Sequence, residues 1–183
     1  VVVSGCDRVE GFSAFARALP DTVRASMLGW SSPFDLSTTY QSAWVDDAVD
    51  GVVRTVSDTC AELFALNAVT AETSKFFLLP TRLDAIKAQL RLYVDELMRP
   101  SAYHEPFFLR GLYLTGDSSE AAQKAAGMAL AAQDAEADGG GSGAVEGAVD
   151  LVSQMMRQPA FLRDLIEKKV FLEYGLARPS RSQ

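Results

Sequence analysis

The sequence predicts a helix-rich α/β chain in which a short sheet is packed with helices. Three observations lead there. Residues 107–115, read FFLRGLYLT, form an apolar run of the kind that makes a buried strand. Two long segments repeat their apolar residues at helical spacing, and the composition, 48% hydrophobic over 183 residues, is enough for one core with an appended helical piece.

Taken in order, Val1 to Val3 is a continuous β-branched run that breaks at Ser4-Gly5-Cys6-Asp7, which predicts a strand and a turn. Phe12, Phe15, Ala16 and Leu19 then recur at helical spacing, so a helix opens at Gly11 or Ser13 and ends at Pro20. Residues 22–34 carry Met27, Leu28, Trp30 and Pro33 and read as a short strand or an irregular link. A long helix follows from Thr38 or Thr39 to about Leu66. Its buried stripe is Trp44, Ala48, Val52, Val56, Cys60 and Leu63 or Phe64, with Asp46, Asp47, Asp50, Arg54 and Asp58 mostly opposite. Phe76 to Leu79 is too short for periodicity to separate strand from helix end, and Pro80 suits the first turn of the next helix. The stripe of that helix is Leu83, Ile86, Leu90, Tyr93 or Val94, and Leu97, and it stops before Pro100.

A loop over 101–106 leads into the 107–115 strand. Gly111 in its middle predicts a close approach by other backbone. Arg110 needs a partner if buried, with Glu105 and Asp84 the candidates, or else points outward from an edge strand. Gly116-Asp117-Ser118-Ser119 reads as a loop leaving the carboxyl edge of the sheet, where ligands of open α/β sheets sit. It reads equally as a strand-ending turn in which Asp and Ser bond to nearby backbone. From 116 to 147 the chain is rich in Ala, Gly, Asp, Glu and Ser, a flexible linker by composition in which 121–132 can form a weak helix. Val145, Ala148 or Val149, Val152, Met155 and Met156 mark a further helix stopped by Pro159. Phe161, Leu162, Leu165, Ile166, Lys169 and Val170 mark another, closing near Tyr174-Gly175. The expected organisation is an α/β unit over 1–116, a flexible loop over 117–144 and a helical extension over 145–183.

The formal net charge of −7, from 17 Lys and Arg against 24 Asp and Glu, argues against a nucleic-acid partner, which needs a basic face. The local group Arg157, Arg163, Lys168, Lys169, Arg178 and Arg181 reads as a solvated helix face. Cys6 and Cys60 lie far apart and read as small buried apolar groups of a reduced compartment. His104 is the single histidine, so neither a zinc site nor a hydrolytic triad can be assembled around it. No segment reaches the roughly 18 to 20 apolar residues that cross a bilayer, and no secretory signal is visible. The opening in mid-strand implies a piece of a longer protein.

Four blocks, in order, resemble the IcmF/TssM family, the inner-membrane component of bacterial type VI secretion systems. They are VVVSGCDRVEGFSAFARALP at 1–20, RASMLGW at 24–30, LLPTRLDAIKAQLRLYVDELMRPSAYHEPFFLRGLYLTG at 78–116 and FLRDLIEKKVFLEYGLA at 161–177. The third, with its Tyr-x-Glu-Pro loop and Arg-Gly-x-Tyr strand, and the fourth are the specific ones. The long helix and the Ala/Gly-rich loop match only in position.

The resemblance implies the back half of a P-loop NTPase-like domain: a partial P-loop NTPase-like sheet packed with helices, followed by a helical extension. It also implies a nucleotide-base corner. Asp7 stands where the Asp of an [Asn/Thr]-Lys-x-Asp turn would read guanine, although Gly5 replaces the Lys whose stem packs over the base. Thr115, Gly116 and Asp117, after the last strand, would complete that corner. Without the family, Ser-Gly-x-Asp after a strand is an ordinary turn. No G-x-x-x-x-G-K-[ST] occurs in the chain, so the phosphate cradle is missing and neither cofactor nor metal is expected. The implied role is a non-enzymatic, cytoplasmic structural module at the inner membrane that takes part in assembling the secretion apparatus. The implied partners are other secretion components, such as the DotU/TssL-like inner-membrane protein and baseplate proteins. The alternative is part of a nucleotide-hydrolysing switch whose phosphate loop lies upstream.

Overall fold

The structure is a computed structural model, and it describes residues 1–35, 38–66, 76–100, 107–119 and 158–171. The chain begins with strand β1, Val2–Val3, a single helical turn at Cys6–Arg8 and helix α1, Phe12–Ala18. A short helix α2, Asp21–Ala25, precedes strand β2, Leu28–Ser31. The long helix α3 covers Ala43–Ala65, and α4, Leu79–Ala85, and α5, Lys87–Leu97, follow it. Strand β3 is Gly111–Leu114, and β4, Gly116–Asp117, pairs with β5, Pro159–Ala160. A last, widely wound helical turn spans Leu165–Val170.

The mixed α/β character that the sequence predicts is present. The main sheet has the order β1-β3-β2, with β1 parallel and β2 antiparallel to β3. β3 is buried along its whole length, as its apolar sequence requires. Its predicted extent was longer: Phe107 and Phe108 are exposed and outside the strand, because the ladder to β2 ends where Ser32 N–H meets the Arg110 carbonyl at 2.9 Å. The 22–34 stretch is both things the sequence left open and one more. Pro20 starts the helical turn α2, with the Val23 and Arg24 amides bonded to its carbonyl, before the strand begins.

Side chains alternate along β2. Leu28 and Trp30 turn toward the core while Gly29 and Ser31 are exposed. On this second face, Tyr113 occupies the space above two glycines. A Cβ on Gly29 would lie 2.7 Å from the Tyr113 ring, and one on Gly111 would lie 2.7 Å from the same ring and 2.6 Å from the Trp30 carbonyl. The phenol reaches over Gly111 to the Ser31 hydroxyl at 2.6 Å. The close backbone approach expected at Gly111 is therefore real.

The core lies on the other face. Trp44, Val45, Ala48, Val49, Val52, Val56, Cys60 and Leu63 of α3 are buried, which is the predicted stripe widened by two valines. Trp44 is surrounded by Phe34, stacked at 4.3 Å, Tyr40, edge-on at 6.0 Å, and Trp30 at 6.5 Å. The helix starts at Ala43 rather than at Thr38 or Thr39, because Tyr40 is drawn sideways to donate to Asp95 of α5 at 2.6 Å. Burial, and after it that bond, lowers the acidity of Tyr40, and the bond holds Asp95 below the usual carboxylate range.

The single helix expected after Pro80 is two. Ile86, at φ −82° and ψ −9°, closes α4 and opens α5, and Lys87 at the junction is held by Asp50 at 2.5 Å and Asp84 at 2.8 Å. The break also shifts the buried register of α5. Val94 and Met98 go inward, whereas Tyr93 and Leu97 face out. Phe76 heads the helical pair, and its ring meets Phe15 at 5.9 Å and Phe64 at 6.0 Å, which joins α1 to the end of α3. The loop at 101–106 with His104, the Ala/Gly-rich stretch and the helix expected around Val145 to Met156 lie outside the described residues.

Among the described residues no helix is long and apolar enough to cross a membrane. Gly111→Ala should lower stability by about 1–3 kcal/mol, the usual cost of forcing a methyl group into a filled space. The measurement is the denaturation midpoint against the unsubstituted chain, and Gly51→Ala, inside α3 with nothing within 4 Å of the added Cβ, should by contrast raise stability by up to about 1 kcal/mol.

Candidate functional site

The residues singled out by the sequence, Asp7, Thr115, Gly116 and Asp117, meet at the carboxyl ends of the neighbouring parallel strands β1 and β3. The ladder continues past both strands. Thr115 N–H donates to the Val3 carbonyl at 2.9 Å, and Cys6 N–H donates to the Thr115 carbonyl at 3.1 Å. Gly5, at φ +75°, supplies the left-handed turn that brings Cys6 back over the strand end. The Gly standing in the Lys position of the family turn is thus needed by the backbone here.

Gly116 is the tightest point. A Cβ there would lie 2.6 Å from the Phe12 ring, 2.8 Å from the Asp7 nitrogen and 3.1 Å from the Asp7 Oδ1. With no side chain at 116 the two strand ends close on one another. Asp7 Oδ1 accepts the Asp117 N–H at 3.0 Å, so one carboxylate oxygen of the proposed base reader is bonded to its own chain.

Asp117, which the sequence offered both as part of the base corner and as a turn residue, organises the corner. Its Oδ1 accepts from the Ser119 N–H at 2.8 Å and the Gln158 N–H at 2.9 Å, its Oδ2 accepts from the Ser119 hydroxyl at 2.9 Å, and its carbonyl accepts from the Ser13 hydroxyl at 2.7 Å. This is the strand-ending Asp turn that the Asp-Ser-Ser sequence also allowed. Buried Ser118 adds two bonds to the Gln158 carbonyl, one from its amide and one from its hydroxyl, both at 2.8 Å. The Asp117-Ser118-Ser119 string was the legible signal. Its partner Gln158 carries no signal of its own, since only the fold brings it across.

Cys6 lies under this corner with its thiol beside the Val3 carbonyl at 3.5 Å. Burial, opposed by the hydrogen bond with Thr115 and aided by the nearby Asp7, raises its pKa to about 11. Cys60, buried in α3, is likewise raised to about 11. Both are free thiols in apolar surroundings, as the sequence suggested, and thiols held in this way are weak nucleophiles. Among the described residues no three His, Cys, Asp or Glu side chains come together in a way that could hold a metal ion.

Arg110 lies at the other end of β3. It donates to the Phe34 carbonyl at 3.1 Å, a partner the sequence did not anticipate, beside a small cleft lined by Ser32, Phe34, Tyr40 and Trp44. Asp84, one of its two expected partners, is paired with Lys87 instead, and Glu105 lies outside the described residues. Of the basic group near the carboxyl terminus, Arg163 pairs with Glu167 at 3.2 Å and Lys168 with Asp164 at 2.7 Å, both exposed, which is a solvated face.

A family model described as IcmF-related N-terminal domain matches residues 1–183. No curated protein and no solved structure matches the chain.

Cys6 and Cys60 should stay unlabelled by a thiol reagent at pH 8 in the folded chain and label at once in denaturant. The raised pKa has a further consequence with a definite sign. The neutral thiol is favoured in the folded state, so its contribution to stability is complete below the unfolded thiol value of about 8.5 and is lost as pH rises toward about 11. Chemical denaturation between pH 7 and pH 10.5 reads this, and Cys6→Ala should flatten the alkaline part of the curve.

Proposed function

Because the chain belongs to the IcmF-related N-terminal domain family, we propose that it is a structural and interaction module of a type VI secretion membrane-complex protein, contributing to assembly of the apparatus. On this reading it lies on the cytoplasmic face of the inner membrane and turns over no nucleotide. Its partners are other secretion components, the DotU/TssL-like inner-membrane protein and baseplate proteins among them.

The observation that carries this reading is the closed corner at the end of β1 and β3. A guanine-reading carboxylate needs both oxygens for the base, whereas Asp7 Oδ1 already accepts from Asp117, and Gly116 packs against Phe12 where a pocket would open. Support also comes from the outer face of α5. Leu92, Tyr93 and Leu97 are 63%, 67% and 41% exposed; Tyr93 and Leu97 are neighbours one turn apart, and exposed apolar side chains of this kind are used for protein contacts.

The second reading is a nucleotide-binding switch whose phosphate loop lies upstream. What favours it is the convergence of Asp7, Thr115 and Gly116 at the ends of adjacent parallel strands, the arrangement of the last two strands in a P-loop NTPase-like domain. The same convergence supports reading the sheet as the back part of such a domain.

Titration calorimetry of the chain with GTP and with ATP should give no saturable heat at micromolar concentrations. A micromolar constant would move the assignment to the switch. For the scaffold, Leu92→Asp with Tyr93→Asp in the full-length protein should abolish secretion and co-purification with the DotU/TssL-like protein. Stability should change by no more than about 0.5 kcal/mol per substitution, as for other exposed positions. Unimpaired secretion would remove α5 from the interaction surface.

A further inference from the structure

Residues 158–171 are joined to the body of the molecule in an unusual way. The backbone attachment is short. β5 pairs over two residues with β4, Gln158 is gripped by Ser118 and Asp117, and Phe161 N–H donates to the Arg24 carbonyl at 2.7 Å. Beyond that point the ion pairs Arg163–Glu167 and Lys168–Asp164 lie within the segment itself.

The apolar attachment is made by Ala160, Phe161 and Leu165, all buried, and Phe161 is the one aromatic among them. Phe161 is buried, with its ring edge-on to Phe12 at 5.9 Å and stacked on Phe15 at 6.4 Å. To reach that seat its backbone takes φ +61°, and no other non-glycine among the described residues has a positive φ. A residue with a Cβ is disfavoured in that region by about five- to thirtyfold. The wide helical turn that follows, with Phe171 N–H bonded to the Ile166 carbonyl five residues back, belongs to the same segment. Insertion of the ring and backbone strain therefore oppose each other at a single residue.

We propose that residues 158–171 are a strap that opens as a unit, and that its opening is coupled to the corner at Asp7 through Asp117. Opening withdraws Phe161 and uncovers Phe12 and Phe15. It also takes the Gln158 N–H from the Asp117 carboxylate, and Asp117 is the residue whose own N–H holds Asp7. The corner then keeps the bonds that do not involve the strap, from Asp117 N–H to Asp7, from Ser13 to the Asp117 carbonyl, and those of Thr115 with Val3 and Cys6. Asp117 has meanwhile lost the partner that orients its carboxylate from the strap side. The coupling needs no ligand in the corner, so it holds for the scaffold and for the switch alike.

Native-state hydrogen exchange of the full-length protein, read by mass spectrometry, tests this. Peptides covering 158–171 and 116–118 should exchange together, at least about a hundredfold faster than peptides of α3, as a locally opening unit does. Phe161→Gly should protect the strap about fivefold or more better than Phe161→Ala, because both lose the ring and only Gly loses the strain. Asp117→Asn, which keeps the acceptor oxygen for Gln158, should remain near the unsubstituted rate while Asp117→Ala exchanges faster in both peptides. Exchange of the strap only in step with α3, equal rates for Gly and Ala at 161, or a faster strap in Asp117→Ala with an unchanged 116–118 peptide would each overturn the proposal.

Discussion

The sheet depends on a single aromatic ring laid over two glycines. Gly29 is the register partner of Tyr113 and Gly111 lies two residues before it, so one face of the β2–β3 pair has lost two side chains where cross-strand contacts normally form. The Tyr113 ring fills both places, and its hydroxyl binds Ser31. This arrangement fixes register more strictly than a run of aliphatic residues would. A slip by one residue would put the ring over Leu28 or Trp30 and turn the apolar face away from α3. With β3 set in this way, Leu112 and Leu114 face the α3 stripe, and the free side of β3 is left to pair with β1.

The pairing of β1 with β3 then determines what the corner beyond them can do. Two parallel strands ending side by side normally leave an opening for a ligand. Here Gly5 and Gly116 allow the chain to close that opening, one by turning left-handed and the other by having no side chain. Asp117 and Ser118 use up the polar groups of the closed corner on Ser13, Ser119 and Gln158. The buried polar groups are satisfied by protein partners, and this gives local rigidity where chemistry would have needed free donors and acceptors.

Much of this was legible in the residue order, and the parts that were not share a cause. The α3 stripe, the Phe12 helix, β1 and the close approach at Gly111 follow from periodicity and from the absence of a Cβ, which are local properties. The late start of α3 does not, because it depends on Tyr40 finding Asp95, 55 residues away in sequence. The division at Ile86 and the outward turn of Tyr93 and Leu97 likewise depend on what α3 presents to α5. At the candidate site, the convergence of Asp7, Thr115 and Gly116 was anticipated through the family resemblance. Asp117 was legible as part of that corner and as an Asp-Ser-Ser turn, but its hold on Gln158 was not, since Gln158 is 41 residues further on.

The pairing of β1 with β3 also bears on the order in which the molecule assembles. The Val1 nitrogen meets the Gly111 carbonyl across 110 positions, and Ser31 meets Tyr113 across 82. Contacts of such range cost loop entropy before they return any stabilisation, whereas α3 and the α4–α5 pair are built from near neighbours. The helices are therefore the early products of folding and the sheet is the late one. A nascent chain cannot complete β1 until β3 has left the ribosome, so β1, made well before its partner, waits for it.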